Sequence, residues 1–305
     1  MLLVRDLPIS LVLVTNRLRA QLRRRRHHHP AGHLTLPASL IVILVLVAGY
    51  TVRVLAIDRV RMAFTDRHGG VSAGPYGTRN LGGSVGDDPA AVAENRARTA
   101  TGFGLDPGGV VFMRQVHGRD VRYVAEPFGA DPPSLDGVFT DRPGLGIAVL
   151  AADCAPVLLA DPVAGLVGGA HSGRDGTTAG VVPALVEAMR SYGAADLVAL
   201  VGPLACGRCY EVPHPLREQV AAVLPEAWSV TRHGTPALDL RAGITAQLGR
   251  AGVTDIRHDD RCTIETAGLY SHRRERLTGR FAGYVWLEAG REPTSRDAAQ
   301  ERALP

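Results

Sequence analysis

Three side chains in this sequence can bind a soft or borderline metal and stand at the ends of short apolar runs: His117, Cys154 and His171. Residues 146–173 contain three such runs, 146–152, 156–160 and 165–170. Asp153-Cys154 separates the first two, and His171 closes the third. Runs this short, rich in Val, Leu and Ile and bounded by Gly, Pro or Asp, predict buried strands. Upstream, residues 110–118 repeat the pattern and end in His117-Gly118. One thiolate and two imidazoles with no obvious fourth ligand describe a zinc site with an open position. A water held there would have its pKa lowered towards neutrality and could attack an electrophilic carbon. Intervals of 37 and 17 residues form no local motif such as HExxH. Two other readings of the same residues therefore stay open: buried His with an inert Cys, and a Cys–His nucleophile pair.

Cys206-Gly-Arg-Cys209 is a CxxC. It lacks the second ligand pair that a structural zinc site needs and the helix that follows a redox CxxC, so the sequence favours an incidental or weakly structural role. With four Cys in 305 residues the chain is no disulfide scaffold. It contains no Lys: all 34 basic residues are Arg, which excludes Schiff-base and P-loop chemistry. The net charge of +4 is unevenly spread. Residues 1–57 hold eight Arg against one Asp, about +7, which leaves the remainder at about −3. The basic balance thus gives no support to nucleic acid as a partner.

The elements that must position these residues form a mixed pattern without an internal repeat. Strands are predicted at 61–65, 135–140 and 197–203, with 281–287 closing a sheet. Asp87 or Asp88, followed by Pro89, opens a helix that runs to Gly102. Further helices are predicted over 177–192, 215–224 and 240–251. Before them, residues 23–29 are four Arg and three His, and residues 34–57 carry one ionised side chain, Arg53. That stretch is close to the ~20 residues that span a bilayer. It reads either as a signal anchor or as part of an over-extended start. The second reading makes residues 1–57 dispensable, 58–288 the catalytic domain and 289–305 a disordered tail, and it implies a cytoplasmic enzyme. Membrane association follows only if the extension is genuine.

Six segments occur in a telling order: Arg67-His68-Gly69-Gly70-Val71-Ser72, Asn80-Leu81-Gly82, Gln115-Val116-His117-Gly118, Asp136-Gly137, Ala152-Asp153-Cys154-Ala155-Pro156 and Ala170-His171-Ser172-Gly173. Cys209-Tyr210-Glu211-Val212, Tyr270-Ser271-His272-Arg273-Arg274 and Thr278-Gly279-Arg280 continue the series. Over roughly residues 60–287 the sequence resembles the laccase-domain family, also called YfiH-like or peptidoglycan editing factor. The resemblance implies an α/β fold, an α/β/β/α layered sandwich with mixed sheets. It implies a purine nucleoside phosphorylase acting on adenosine, inosine, guanosine and methylthioadenosine, with adenosine deaminase activity. It also implies zinc on His117, Cys154 and His171. Relatives often carry Trp-Arg-Gly where this chain has Arg174-Asp175-Gly176, so position 175 offers an acid where a base is common. They commonly have Ala at position 172, here Ser172.

For deamination a nearby acid would shuttle the proton, and Asp153 is the candidate. A strand neighbour of Cys154 would point to the other face, however, and serve a turn instead. For phosphorolysis Arg67, Arg273 and Arg274 are the candidate phosphate cations, and Asn80 would serve ribose, phosphate or a turn. Two alternatives remain. A copper-dependent polyphenol oxidase would use the Cys-His-His set as a copper centre, but also needs a further cluster built from many His. A non-catalytic envelope or peptidoglycan-associated binding protein would use the same pocket without turnover.

Overall fold

The computed structural model describes residues 40–47 and 50–289. The first strands in chain order are β1 (Leu40–Val47), β2 (Tyr50–Ile57), β3 (Val60–Phe64), β4 (Val110–Phe112) and β5 (Val121–Tyr123). Then come β6 (Gly137–Thr140), β7 (Gly146–Ala151), β8 (Ala155–Asp161), β9 (Leu166–Ser172) and β10 (Val198–Val201). The last are β11 (Trp228–Val230), β12 (Pro236–Leu238), β13 (Asp255–His258) and β14 (Phe281–Leu287). One six-stranded sheet has the order β1-β2-β3-β14-β7-β4, and a second has β13-β10-β8-β9-β6-β5. Both sheets are mixed. β4 runs parallel to β7, β13 to β10 and β5 to β6, while the other pairs are antiparallel. β14, expected to close a sheet, instead lies between β3 and β7.

Strand alternation builds the layers. Along β8, Leu158 and Ala160 pack with Met62, Ile147, Val149 and Val285 of the other sheet. Val157 and Leu159, one residue out of phase, pack on Val181, Leu185, Met189 and Ile244 of the helices. Every residue of β8 is buried because both of its faces are covered. The outer face of the first sheet, with Ala148, Tyr284 and Trp286, packs on Phe103 and Leu105, which follow helix α1 (Pro89–Gly102). The result is the expected α/β/β/α sandwich. Gly168 and Gly169 let the layers close on β9. A Cβ at Gly168 would sit 2.9 Å from Met189 Sδ, and one at Gly169 would sit 2.7 Å from Val149 Cγ2.

The other helices are α2 (Arg174–Ala179), α3 (Val181–Ser191), α4 (His214–Val223), α5 (Leu240–Arg250) and α6 (His272–Glu275). The Asp88 side chain caps α1 by accepting from Ala90 N, a bond worth about 1 kcal/mol. The single helix expected over 177–192 is two helices. Gly180 adopts φ 84°, which ends α2 and restarts the chain as α3. Helix α2 also begins earlier than expected, directly behind the His171 strand.

Within the apolar stretch 34–57, the described residues form the antiparallel β1–β2 pair rather than a spanning helix. Among the described residues no helix is long and apolar enough to cross a membrane. β2 pairs with β3, and Val52, Val54, Ala56 and Ile57 are buried. Position 58, expected as the domain boundary, thus falls between two paired strands of one sheet. The Arg-rich segment 1–33 and the tail from 290 onward lie outside the described residues.

Candidate metal centre

β7 belongs to the first sheet and β8 to the second, so residues 152–154 carry the chain from one sheet to the other. Cys154 lies on this crossover. His117 follows β4, the neighbour of β7, and His171 lies on β9, the neighbour of β8. The two sheets therefore converge on one point from three elements. The ligand atoms of His117, Cys154 and His171 all lie within 4.8 Å of one another. His117 is exposed, Cys154 half-buried and His171 buried, so the cluster opens to solvent on one side.

Asp136 organises the group. Its buried carboxylate accepts the backbone N–H groups of Val116 (3.1 Å), His117 (3.0 Å) and Gly118 (2.7 Å). It also accepts His171 Nδ1–H at 2.8 Å, which leaves His171 Nε2 for the cluster. His171 N in turn donates to the Asp136 carbonyl at 2.8 Å. His117 is held at φ 62°, a conformation a non-glycine residue adopts at some cost, and the three N–H bonds to Asp136 offset it. Gln115 extends the β4 ladder with its side chain: its amide donates to Leu150 O and accepts from Leu150 N, both at 2.8 Å. Gly173 is needed for space, since a Cβ there would lie 2.8 Å from both Cys154 Sγ and His117 Cδ2.

Electrostatics favour a thiolate. Burial raises the Cys154 pKa, but the His171 charge and hydrogen bonds from both imidazoles outweigh it and bring the thiol down to about 6. Burial opposes charge on His171 too, yet Cys154 and Asp136 raise it to about 9. Asp136 is lowered despite its burial, because His171 and the backbone N–H groups stabilise the carboxylate.

The residues fit a zinc ion. Zinc–sulfur and zinc–imidazole bonds of ~2.3 and ~2.05 Å at a tetrahedral angle put S and N about 3.6 Å apart. His117 Nε2 and Cys154 Sγ are 3.7 Å apart. A carboxylate on the far nitrogen of a ligating His, as on His171, is the usual support of such a site.

The other expected site residues divide. Asp153 sits in the turn at φ 92°, not on a strand. Its carboxylate accepts Thr263 Oγ1–H and Arg273 N–H, both at 2.6 Å, and its carbonyl accepts Ala205 N–H at 3.0 Å. Arg273 lies over the Tyr210 ring at 5.0 Å and donates Nη1–H to Glu211 O. Arg67 pairs with Glu275 at 2.6 Å, donates to Gly77 O and stacks on Tyr270. Arg274 is turned inward: its Nη1 donates to the carbonyls of Thr263, Ile264 and Thr266, and its Nη2 to that of Leu269. Asn80 is buried with both ends of its amide engaged. Its Oδ1 accepts Gly82 N–H and Arg280 N–H, and its Nδ2 donates to Gly82 O and Asp87 Oδ2. Of the three arginines and Asn80, Arg273 is the one joined to the Asp153–Cys154 turn; Asn80 and Arg274 brace loops.

The contacts of Asp136 with both His residues are not legible from the sequence. Asp175 raises the Arg174 pKa, with a small further contribution from Cys154, while burial lowers that of Arg280 and the Cys154 charge offsets part of it. Arg280 Nη1 donates to the carbonyls of Thr278 and Gly279. Arg174 makes a two-pronged contact with Asp175, at 2.8 and 3.0 Å, so the acid at position 175 comes with its own cation. The signal was present for Asp136, which opens a Gly-marked strand, but nothing in its spacing linked it to either His.

The comparisons with known proteins agree with this architecture. The model of the multi-copper polyphenol oxidoreductase laccase family matches residues 61–288. A Streptomyces griseus protein named purine nucleoside phosphorylase is 59% identical over 230 residues, covering 74% of this chain and 94% of its own. A Streptomyces coelicolor protein of the same name is 56% identical, covering 76% and 97%. Among solved structures, YlmD from Geobacillus stearothermophilus has a TM-score of 0.71 at 34% identity, covering 77% of this chain and 96% of that one. Bacillus licheniformis YfiH has a TM-score of 0.69 at 30% identity, covering 84% and 98%.

Proposed function

The chain belongs to the laccase-like YfiH family, and from that premise we propose that it is a zinc-dependent purine nucleoside phosphorylase that also deaminates adenosine. The observation that carries this reading is the set of cations around the His117–Cys154–His171 cluster. Arg174 directly follows Gly173, which abuts Cys154 and His117, and Arg273 is tied to the adjoining turn through Asp153. The pKa of Arg280, lowered by burial, is partly held up by the charges of Cys154 and Asp153. Guanidinium groups are suited to holding phosphate by paired, charge-assisted hydrogen bonds. Such donors lower the barrier when they meet the charge that develops in the transition state.

His117, Cys154 and His171 would hold the zinc, which when bound supplies Lewis acidity and lowers the pKa of a water. In phosphorolysis a phosphate oxygen bonds to ribose C1′ while the bond from C1′ to the purine nitrogen breaks. The proton of hydrogen phosphate ends on the departing base. Arg174, Arg273 and Arg280 bind and orient the phosphate. Asp153 acts as a positioning residue: it holds the Cys154 turn against Thr263 and the start of α6. Asp136 fixes the His171 tautomer and the His117 loop. The activity belongs in the cytoplasm, where nucleosides are at hand and thiols stay reduced.

Phenol oxidation is the weaker reading on the donor set. It would need a further cluster of His, and among the described residues His117 and His171 are the only imidazoles in a converging ligand group. Chromatography of adenosine, inosine, guanosine and methylthioadenosine, incubated with the purified chain with and without phosphate, tests the proposal. Free base and ribose 1-phosphate should appear only with phosphate, and inosine should form from adenosine without it. No base release from any purine nucleoside would refute phosphorolysis and favour a binding role.

A further inference from the structure

The CxxC that the sequence left without a partner finds one in the fold. Cys262-Thr263-Ile264-Glu265 places a second ligand pair, also separated by two residues, against Cys206-Gly207-Arg208-Cys209. Each pair is presented by a hydrogen-bonded turn. The Cys206 carbonyl accepts Cys209 N–H and Tyr210 N–H, both at 2.9 Å, and the Cys262 carbonyl accepts Thr266 N–H at 2.9 Å. A parallel bridge between Leu204 and Cys262 sets the two turns face to face, with Thr263 N–H on Leu204 O at 3.1 Å. Cys206 N–H points at Cys262 Sγ at 3.4 Å. The three Sγ atoms and a Glu265 oxygen all lie within 4.8 Å of one another.

We propose that Cys206, Cys209, Cys262 and Glu265 hold a second, structural zinc ion. Around zinc, tetrahedral thiolates bonded at ~2.3 Å stand ~3.8 Å apart, so a small contraction of the four ligand atoms would complete the shell. Three sulfurs and one carboxylate suit zinc; the hard cations calcium and magnesium take oxygen ligands. Four protein ligands make a closed site, in contrast to the three at Cys154. A disulfide would use two of the four converging groups and leave the others unexplained. The excess negative charge of three thiolates and a carboxylate has a counter-ion in place, since Arg232 donates to Cys209 Sγ at 3.4 Å and pairs with Glu265.

The position gives the ion a task. Residues 204–211 and 259–271 contain no long strand or helix, yet they wall the Cys154 turn. Ala205 N and Thr263 Oγ1 both bond to Asp153, and Tyr210, next to Cys209, lies under Arg273. A zinc clasp between the two turns would hold that wall without sheet or helix. The site stands whether or not the nucleoside reading does.

Elemental analysis of the full chain after passage over a chelating resin tests it, on wild type, Cys206→Ser, Cys262→Ser and Cys154→Ala. Differences between variants cancel any metal loosely held by His27, His28 and His29. Each substitution should remove one zinc per chain, and Cys262→Ser combined with Cys154→Ala should remove two. In the cobalt-loaded protein, Cys262→Ser should abolish most of the sulfur-to-cobalt charge-transfer absorption, and Cys154→Ala only a minor part. Should the serine variants not fold, Glu265→Gln keeps the thiols and should release one zinc to a chelator faster than wild type does. Unchanged zinc in both serine variants would overturn the proposal. So would a non-reducing peptide map that shows a disulfide between any two of the three cysteines in freshly purified protein.

Discussion

Cys154 and Cys209 are both half-buried thiols, and their surroundings drive them in opposite directions. Burial opposes ionisation at each. At Cys154 the neighbours are imidazoles, and the thiol falls to about 6. At Cys209 the neighbours are the thiols of Cys206 and Cys262, which add to burial and push it up to about 12. A thiol among cations is ready to react or to bind; a thiol among thiols needs a metal to draw off its proton. Ligand number differs in the same sense. The first cluster has three converging ligands, while the second has four that join two turns of chain, and each includes one exposed side chain, His117 or Glu265. The first therefore reads as a place for chemistry and the second as a clasp.

Removing one sulfur from each cluster gives the largest contrast. Cys154→Ala should lower turnover by ~10³-fold or more, the scale of losing a group that stabilises developing charge, with little change in melting temperature. Cys262→Ser should keep most turnover per folded molecule but lose on the order of 4 kcal/mol of stability, as loss of a structural metal does. Calorimetry and a steady-state assay on both variants check this; the same loss in both quantities for both variants would erase the distinction.

Alkylation tests the opposed thiol pKa values directly. At pH 7 a thiol of pKa about 6 is mostly thiolate, whereas one of about 12 is ionised in only ~10⁻⁵ of molecules. The weaker nucleophilicity of the more acidic thiolate takes back part of that ratio. In chelator-treated protein Cys154 should thus react with iodoacetamide ~10²-fold faster than Cys209. Peptide mass spectrometry over a time course reads the rates, and faster labelling of Cys209 would contradict the electrostatic account.

Asp136→Asn probes one cluster without touching the other. It keeps the shape of the carboxylate but removes its charge from His171 and from the three N–H groups. Zinc affinity at the Cys154 cluster should fall ~10–100-fold, the usual cost of losing a carboxylate behind a ligating His. Affinity at the Cys206 cluster should not change. Competition with a coloured chelator resolves the two steps.

The smallest effect is on acid stability. The folded pKa of Asp136 lies below the ordinary carboxylate value, so its contribution is present above the unfolded pKa, about 4. It is lost as the pH falls through the lower, folded value. Urea titrations of wild type and Asp136→Asn should therefore show a shallower acid limb in the variant below pH ~4. Parallel limbs would mean that the carboxylate gains nothing from the fold.

Much of this molecule is legible residue by residue. The buried strands 146–151, 155–161 and 166–172 announce themselves because their apolar runs are short and sharply bounded. Helix α1 is marked by Asp88 and Pro89. The periodic pattern predicts one helix over 177–192, but a glycine inside such a pattern does not reveal its φ, and Gly180 takes the left-handed conformation. Arg274 and Asn80 are candidate substrate contacts by residue type alone; the fold adds bonds within the chain, of Arg274 with carbonyls of residues 263–269 and of Asn80 with Gly82, Asp87 and Arg280.

The sequence by itself determined which groups could act: a thiol and two imidazoles at strand ends, no lysine, and a CxxC. These are properties of residue type and of periods two and 3.6, which are local. Tertiary structure decided what each group would be. It carried the chain between sheets at Cys154, so that ligands 37 and 17 residues apart meet within 4.8 Å. It set Asp136 behind His171, and it brought Cys262 and Glu265 to the CxxC across 52 intervening residues. A pKa, a coordination shell and a counter-ion all depend on distances through space, and pairs this far apart along a chain acquire those distances only when the sheets pack.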